Sequence, residues 1–179
     1  MSRNESGLST PQEVSLILLR TLVGWHFLYE GYFKLFRPAW GRDGVPLEPW
    51  SSAGYLNAAT GPFAGIFHGM ASSPWLSTID SLVAVALFLV GLSLVLGLFA
   101  DAGAVGALLL LAMFYLSAIP TQGLPEAHSE GAYLFVNKNL VEAGAVLVLI
   151  VFGTGRIAGL DRLRGARRPV SPRVEEAAA

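Results

Sequence analysis

Four apolar segments dominate this sequence and constrain its fold more than any other feature. The first runs from Glu13 to Phe36 and is about 24 residues long, and the others are Leu76–Phe99, Ala102–Ile119 and Gly131–Gly153. An α-helix rises about 1.5 Å per residue and the hydrocarbon core of a bilayer is about 30 Å thick, so each segment is close to the length of a membrane-spanning helix. The sequence therefore predicts an all-α fold, namely a four-helix transmembrane bundle.

Composition supports this fold class and excludes several kinds of function. The chain is 53% hydrophobic and 14% charged, whereas soluble domains average about 25% charged residues. A net charge of −1 argues against a nucleic-acid partner. The absence of cysteine excludes disulfides, thiol relays, iron–sulfur ligation and cysteine-based zinc sites. The sequence also shows no metal or flavin motif.

Charge placement predicts the topology. Residues 1–12 are polar and are expected to be flexible, and an Arg-rich tail spans residues 156–179. Half of the 12 basic residues lie in this tail: Arg156, Arg162, Arg164, Arg167, Arg168 and Arg173. The positive-inside rule places the tail, and after four spans the N-terminus, in the cytoplasm. The long Gly-, Pro- and Trp-rich loop Arg37–Trp75 is then extracytoplasmic, and a short helix is expected within it.

The first apolar segment carries four ionisable residues on one face. Arg20, His26, Glu30 and Lys34 fall within about 120° of one another at 100° per residue. Charges inside a membrane cost about 2.5–3.5 kcal/mol each at its centre, so they turn to the bundle interior and find partners. We therefore predict a polar pocket in the outer half of the bundle, with His26 and Glu30 as candidate proton-transfer residues.

The other three segments offer partners for this face. Asn139 and Glu142 lie on the fourth segment, with Glu142 at about the depth of Glu30. Asp80 enters from the outside on the second segment, and Tyr115 lies near the outer end of the third. These four residues, with Arg20 and Lys34, are the candidates for binding a ligand and stabilising its charge.

A purely structural interpretation stays open beside the functional one. Glu30 and Lys34 have the i, i+4 spacing of a simple ion pair on one helix. Glu142 could pair with Arg20 or Lys34 only to lock the bundle, and Lys34 is close enough to the membrane surface to extend its ammonium there. His26 suits either proton transfer or a packing hydrogen bond.

The same residues carry a resemblance to the DoxX/DoxD family of four-helix bacterial membrane proteins. The first helix of that family resembles "LLRTLVGWHFLYEGYFKLF", and its second and third helices resemble "GLSLVLGLFADAGAVGALLLLAMFYL". The fourth helix and tail resemble "VNKNLVEAGAVLVLIVFGTGRIAGLDRLR", so the likeness runs from about Leu16 to Arg164. The family takes its name from subunits of a thiosulfate:quinone oxidoreductase, which implies electron transfer to quinone with a membrane or periplasmic redox partner.

The resemblance therefore implies a multi-pass protein of the bacterial inner membrane that is the membrane subunit of a quinone-linked oxidoreductase, with the oxidation of sulfur compounds as the expected reaction. His26 and Glu30 would handle protons, while Lys34 or Arg20 would stabilise negative charge on oxygen. Two alternative functions are not enzymatic. One is a carrier or binding protein for a small molecule or lipid, favoured by the polar stripe. The other is an anchor or assembly module for a periplasmic enzyme, favoured by the long loop Arg37–Trp75.

Overall fold

The fold was analysed in a computed structural model, which describes residues 8–36, 50–119, 132–133 and 135–165. For residues 132–133 and 163–165 it describes the backbone alone. Four longer helices make up most of the described chain: α1 (Thr10–Leu35), α4 (Leu76–Leu96), α5 (Ala100–Ser117) and α6 (Lys138–Val151). The short helices are α2 (Ala53–Asn57), α3 (Ala64–Ala71), α7 (Thr154–Ile157) and α8 (Leu160–Gly165). The expected all-α class is confirmed, with one small hairpin of β1 (Ala132–Tyr133) and β2 (Val136–Asn137) added.

The four longer helices pack in a cycle in which each contacts two others. Helix α1 packs on α4, α4 on α5, α5 on α6, and α6 back on α1. The α1–α4 contact is the most extensive and the α1–α6 contact the least. Their buried apolar side chains form one core: Val23, Phe27, Leu87, Leu94, Ala104, Ala107, Leu111, Val146 and Leu149.

Glycines bring α1 and α4 into backbone contact. A Cβ atom at Gly91 of α4 would lie 2.1 Å from the Leu28 nitrogen of α1, and one at Gly31 of α1 would lie 2.3 Å from the Phe88 nitrogen of α4. Small residues at a helix crossing allow this close approach. The two helices therefore form a tight antiparallel pair, and this contact fixes the position of the polar residues of α1 along the axis of α4.

Two of the helices, α4 and α5, are long and apolar enough to cross a membrane, judged by length and composition within the described ranges. This supports membrane association. The fourth apolar segment differs from the expected span Gly131–Gly153, because β1 and β2 form a hairpin there and helix α6 begins only at Lys138. Asn137 explains this start, since its side chain caps the helix by accepting a hydrogen bond from the Leu140 nitrogen at 3.1 Å. The 14 residues of α6 span only about 21 Å along the helix axis.

The loop between α1 and α4 is structured in its second half. Residues 50–75 include α2 and α3, so the expected short helix is present at Ala64–Ala71. Leu56, Ala59 and Phe67 form a small second core there. Residues 37–49 of this loop, and the tail beyond residue 165, lie outside the described residues.

Candidate functional site

A cavity of about 450 Å³ lies among α1, α4, α5, the start of α6 and the segment 50–70. Most of its wall is apolar, as is usual for sites that bind small organic ligands. The apolar part comprises Phe27, Leu56, Phe67, Met70, Ile79, Val83, Leu87, Leu111, Met113, Phe114 and Ala118. The polar part comprises His26, Glu30, Lys34, Trp50, Ser52, Tyr55, Ser117, Asn137, Lys138 and Asn139. A ligand with an apolar body and a polar head would match this division of the cavity wall.

The polar face of α1 contributes two ion pairs to the site. His26 Nδ1 lies 2.7 Å from Glu142 Oε1 and 3.0 Å from Oε2, which joins α1 to α6. The His26 side chain is 47% exposed while that of Glu142 is 14% exposed. One turn further along α1, the Lys34 ammonium pairs with Glu30 and lies 5.2 Å from the ring centre of Trp50. The expected contact between α1 and Glu142 is thus confirmed.

The His26–Glu142 pair defines what the imidazole can do. Glu142 accepts the Nδ1 hydrogen, so Nε2 is the ring nitrogen left for a ligand. A carboxylate behind an imidazole orients the ring and supports its protonated form. This arrangement can donate a proton to, or accept one from, a polar group in the cavity.

The segment 50–70 closes the cavity from the loop side and is fastened to the helices by hydrogen bonds. The backbone nitrogen of Ser52 donates to Asp80 Oδ1 at 3.1 Å, and the Ser52 hydroxyl donates to the same oxygen. The Tyr55 hydroxyl lies 2.6 Å from Ser117 Oγ at the end of α5. Burial raises the pKa of Tyr55, and the Ser117 bond offsets part of that rise. Tyr55 therefore stays protonated as a hydrogen-bonding group of the wall.

Four expected site residues do not line the cavity. Glu142 acts on it through His26, and Asp80 holds Ser52 from behind the wall. The Tyr115 hydroxyl donates to the Phe135 carbonyl at 2.8 Å, joining α5 to the hairpin region. Asp80 and Tyr115 thus position parts of the site, which differs from the expectation that they contact a ligand.

Arg20 also differs from expectation, because its role lies at the other end of the bundle. It is 3% exposed, and its Nη1 donates to the Thr154 carbonyl at 2.7 Å and to the Ala158 carbonyl at 2.5 Å. Its Nε is buried with no hydrogen-bond partner among the described residues. The guanidinium satisfies carbonyls around α7 and ties α1 to this region, so it is a structural group.

Sequence reasoning placed no ligand contact in the segment 50–70, and at the end of α5 it chose Tyr115 rather than Ser117. Tyr55 and Ser52 lie in what read as a loop, and Ser117 reads as an ordinary residue of an apolar helix. Trp50 is one of several tryptophans in the long loop Arg37–Trp75, and nothing in the sequence singles it out. The available signal was a tryptophan and a tyrosine, Trp50 and Tyr55, placed five residues apart in this loop.

The described residues contain no group of three or more His, Asp or Glu side chains placed to hold a metal ion. Comparisons with protein-family models, with curated proteins and with solved structures found no match to this chain.

Proposed function

We propose that this chain is a multi-pass membrane protein that binds the head of a quinone in the cavity and serves as the membrane subunit of a quinone-linked oxidoreductase. The single observation that carries the proposal is the cavity of about 450 Å³, whose mostly apolar wall includes His26, Glu30, Lys34 and Asn139. A quinone has this same division, with polar ring oxygens and an apolar body.

In this proposal α1, α4 and α5 cross the bilayer, and α6, which spans only about 21 Å by itself, would cross it together with the adjoining hairpin and α7. Helices α4 and α5 have the required length and hydropathy, and α1 and α6 complete the cycle of contacts around them. The Arg-rich tail places the end of α6 toward the cytoplasm, so the cavity lies in the outer half of the membrane. The charged groups of α1 then face a cavity and neighbouring helices, as intramembrane charges require.

The side chains of the cavity would handle protons and orientation. A quinone supplies two-electron redox chemistry, and the electrons would come from a partner subunit or a bound donor such as a sulfur oxyanion. His26 would exchange a proton through Nε2 while Glu142 holds Nδ1. The Lys34–Glu30 pair would place positive charge near oxygen, and Asn139 would offer its amide.

Binding is the first test. Purified protein should retain quinone, detected by solvent extraction and mass spectrometry. Added decylubiquinone should quench tryptophan fluorescence, because Trp50 is part of the wall. His26→Gln should weaken binding by about twofold to tenfold, the loss of one hydrogen bond. His68→Gln is the matched control, since His68 bonds the Ala59 carbonyl and does not line the cavity.

The redox step needs its own measurement. Membranes given a donor should reduce quinone, and His26→Gln should lower that rate at unchanged protein level. Equal rates in wild type and in both His26→Gln and Glu30→Gln would end the proton-transfer assignment.

A carrier or binding protein is the second candidate, and the satisfied ion pairs favour it. His26–Glu142 and Glu30–Lys34 are complete without a ligand, as in a site built to hold a molecule rather than to transform it. Bound quinone with no donor-dependent reduction would select this candidate.

A further inference from the structure

Lys138 is a cation of the cavity wall whose charge is not neutralised by an ion pair. It is the first residue of α6, it is exposed, and it lines the cavity. Within the described ranges, no carboxylate lies within ion-pair distance of its ammonium, whereas Lys34 pairs with Glu30 and His26 with Glu142. Its exposure and its place in the wall put it where the cavity meets the surface.

The wall therefore carries an excess of positive charge. Among its residues, Lys34 and Lys138 are cationic and Glu30 is the anion. Lys138 is also close enough to interact electrostatically with both His26 and Glu30. The adjoining Asn139 adds an amide that makes no hydrogen bond to another described side chain or backbone group. The exposed ammonium of Lys138 is hydrated, and an anionic oxygen at this point of the wall would replace part of that water with a direct, charge-assisted hydrogen bond.

We propose that Lys138 binds the head of the ligand and that the cavity selects ring compounds bearing an anionic oxygen over neutral ones of the same shape. This inference rests on the proposed function and names its ligand class: quinones with an ionised, enolic hydroxyl. Lys138 donates a charge-assisted hydrogen bond to the anionic oxygen, and Asn139 donates to the adjacent ring oxygen. The apolar wall takes the ring and any hydrocarbon chain.

A matched pair of probes tests the selectivity. Lawsone is a hydroxynaphthoquinone that is ionised in mildly alkaline buffer, and its methyl ether has the same ring without the charge. Wild-type protein in detergent should bind lawsone about tenfold more tightly than the ether, the worth of one charge-assisted hydrogen bond. In Lys138→Gln this ratio should fall to about twofold or less, with binding of the ether nearly unchanged. Comparing the ratio across variants cancels the different detergent partitioning of the two probes.

Two further variants control the result. Arg156→Gln removes the same charge from a side chain that is 82% exposed and outside the cavity wall, so it should keep the wild-type ratio. Lys138→Arg should also keep most of the ratio. An equal ratio in wild type and Lys138→Gln would overturn the inference while leaving quinone binding intact. If wild type binds neither probe nor decylubiquinone, the proposed function fails as well.

Discussion

The close crossing of α1 and α4 predicts that a single methyl group added at Gly91 will strongly lower the free energy of unfolding. An added Cβ would lie 2.1 Å from the Leu28 nitrogen, about 1.3 Å short of the 3.4 Å at which ordinary contact begins. The obstructing atom is backbone, so no side-chain rotation relieves the clash and the two helices must separate. Overpacking of a core costs about 1–3 kcal/mol, and we expect Gly91→Ala to reach about 3 kcal/mol.

Gly144→Ala provides a control of the same chemistry. Gly144 lies inside α6, and a Cβ built there would meet no atom within 4 Å. Alanine should stabilise that helix by about 0.5–1 kcal/mol relative to glycine. For a chain of this length the two variants should differ by about 7–15 °C in Tm. Thermal unfolding in one detergent, followed by circular dichroism, measures both.

The reasoning is refuted if Gly91→Ala melts within about 2 °C of wild type while Gly144→Ala behaves as expected. That result would mean that α1 and α4 do not cross at Gly91 at backbone distance. Quinone binding gives a second readout, since separating these helices displaces the His26 face of the cavity.

Three more predictions follow from polar contacts. Arg20→Met should lower the free energy of unfolding by about 2–4 kcal/mol, because it leaves one buried and one partly buried carbonyl without their donor. Chemical unfolding measures this loss, with the exposed Arg156→Met as control. Asp80→Asn should loosen the segment that begins at Ser52, and limited proteolysis should cut residues 50–75 faster; an unchanged rate would contradict the fastening role. Tyr55 has a raised pKa in the fold, so its contribution to stability is complete below about pH 10 and falls as pH rises through the folded pKa; Tyr55→Phe should remove this part of the alkaline loss in a melting series.

The helices were predictable because apolar runs of helical length leave a chain few alternatives. The start of α6 was not, since "GAYLFVN" is apolar enough to extend the helix and only the cap at Asn137 shows where it begins. A contact between the polar face of α1 and Glu142 was anticipated from a shared face and matched depth, although His26 was not singled out as the partner. Such reasoning works when both partners are ionisable side chains.

Matching ionisable side chains by face and depth did not predict the partners of Arg20, which are the main-chain carbonyls of Thr154 and Ala158. Every residue has a carbonyl, so the sequence does not show which ones are left unsatisfied. Tyr55 was missed for a related reason: its place in the wall depends on how the loop folds back onto Ser117, a contact between residues 62 positions apart.

The turn between α4 and α5 is completed by a residue far along the chain. Phe99 adopts a left-handed backbone with φ of 52°, and its nitrogen donates to Asp161 Oδ1 at 2.8 Å. The Ala100 nitrogen donates to the other carboxylate oxygen at 2.8 Å, and the Asp161 nitrogen returns a bond to the Gly97 carbonyl at 2.9 Å. During synthesis, the turn between α4 and α5 therefore emerges from the ribosome 62 residues before the carboxylate that caps it. We expect the turn between α4 and α5 to remain without these hydrogen bonds until α8 has been synthesised. The α4–α5 pair would then reach its final structure only after α8 has packed against the turn.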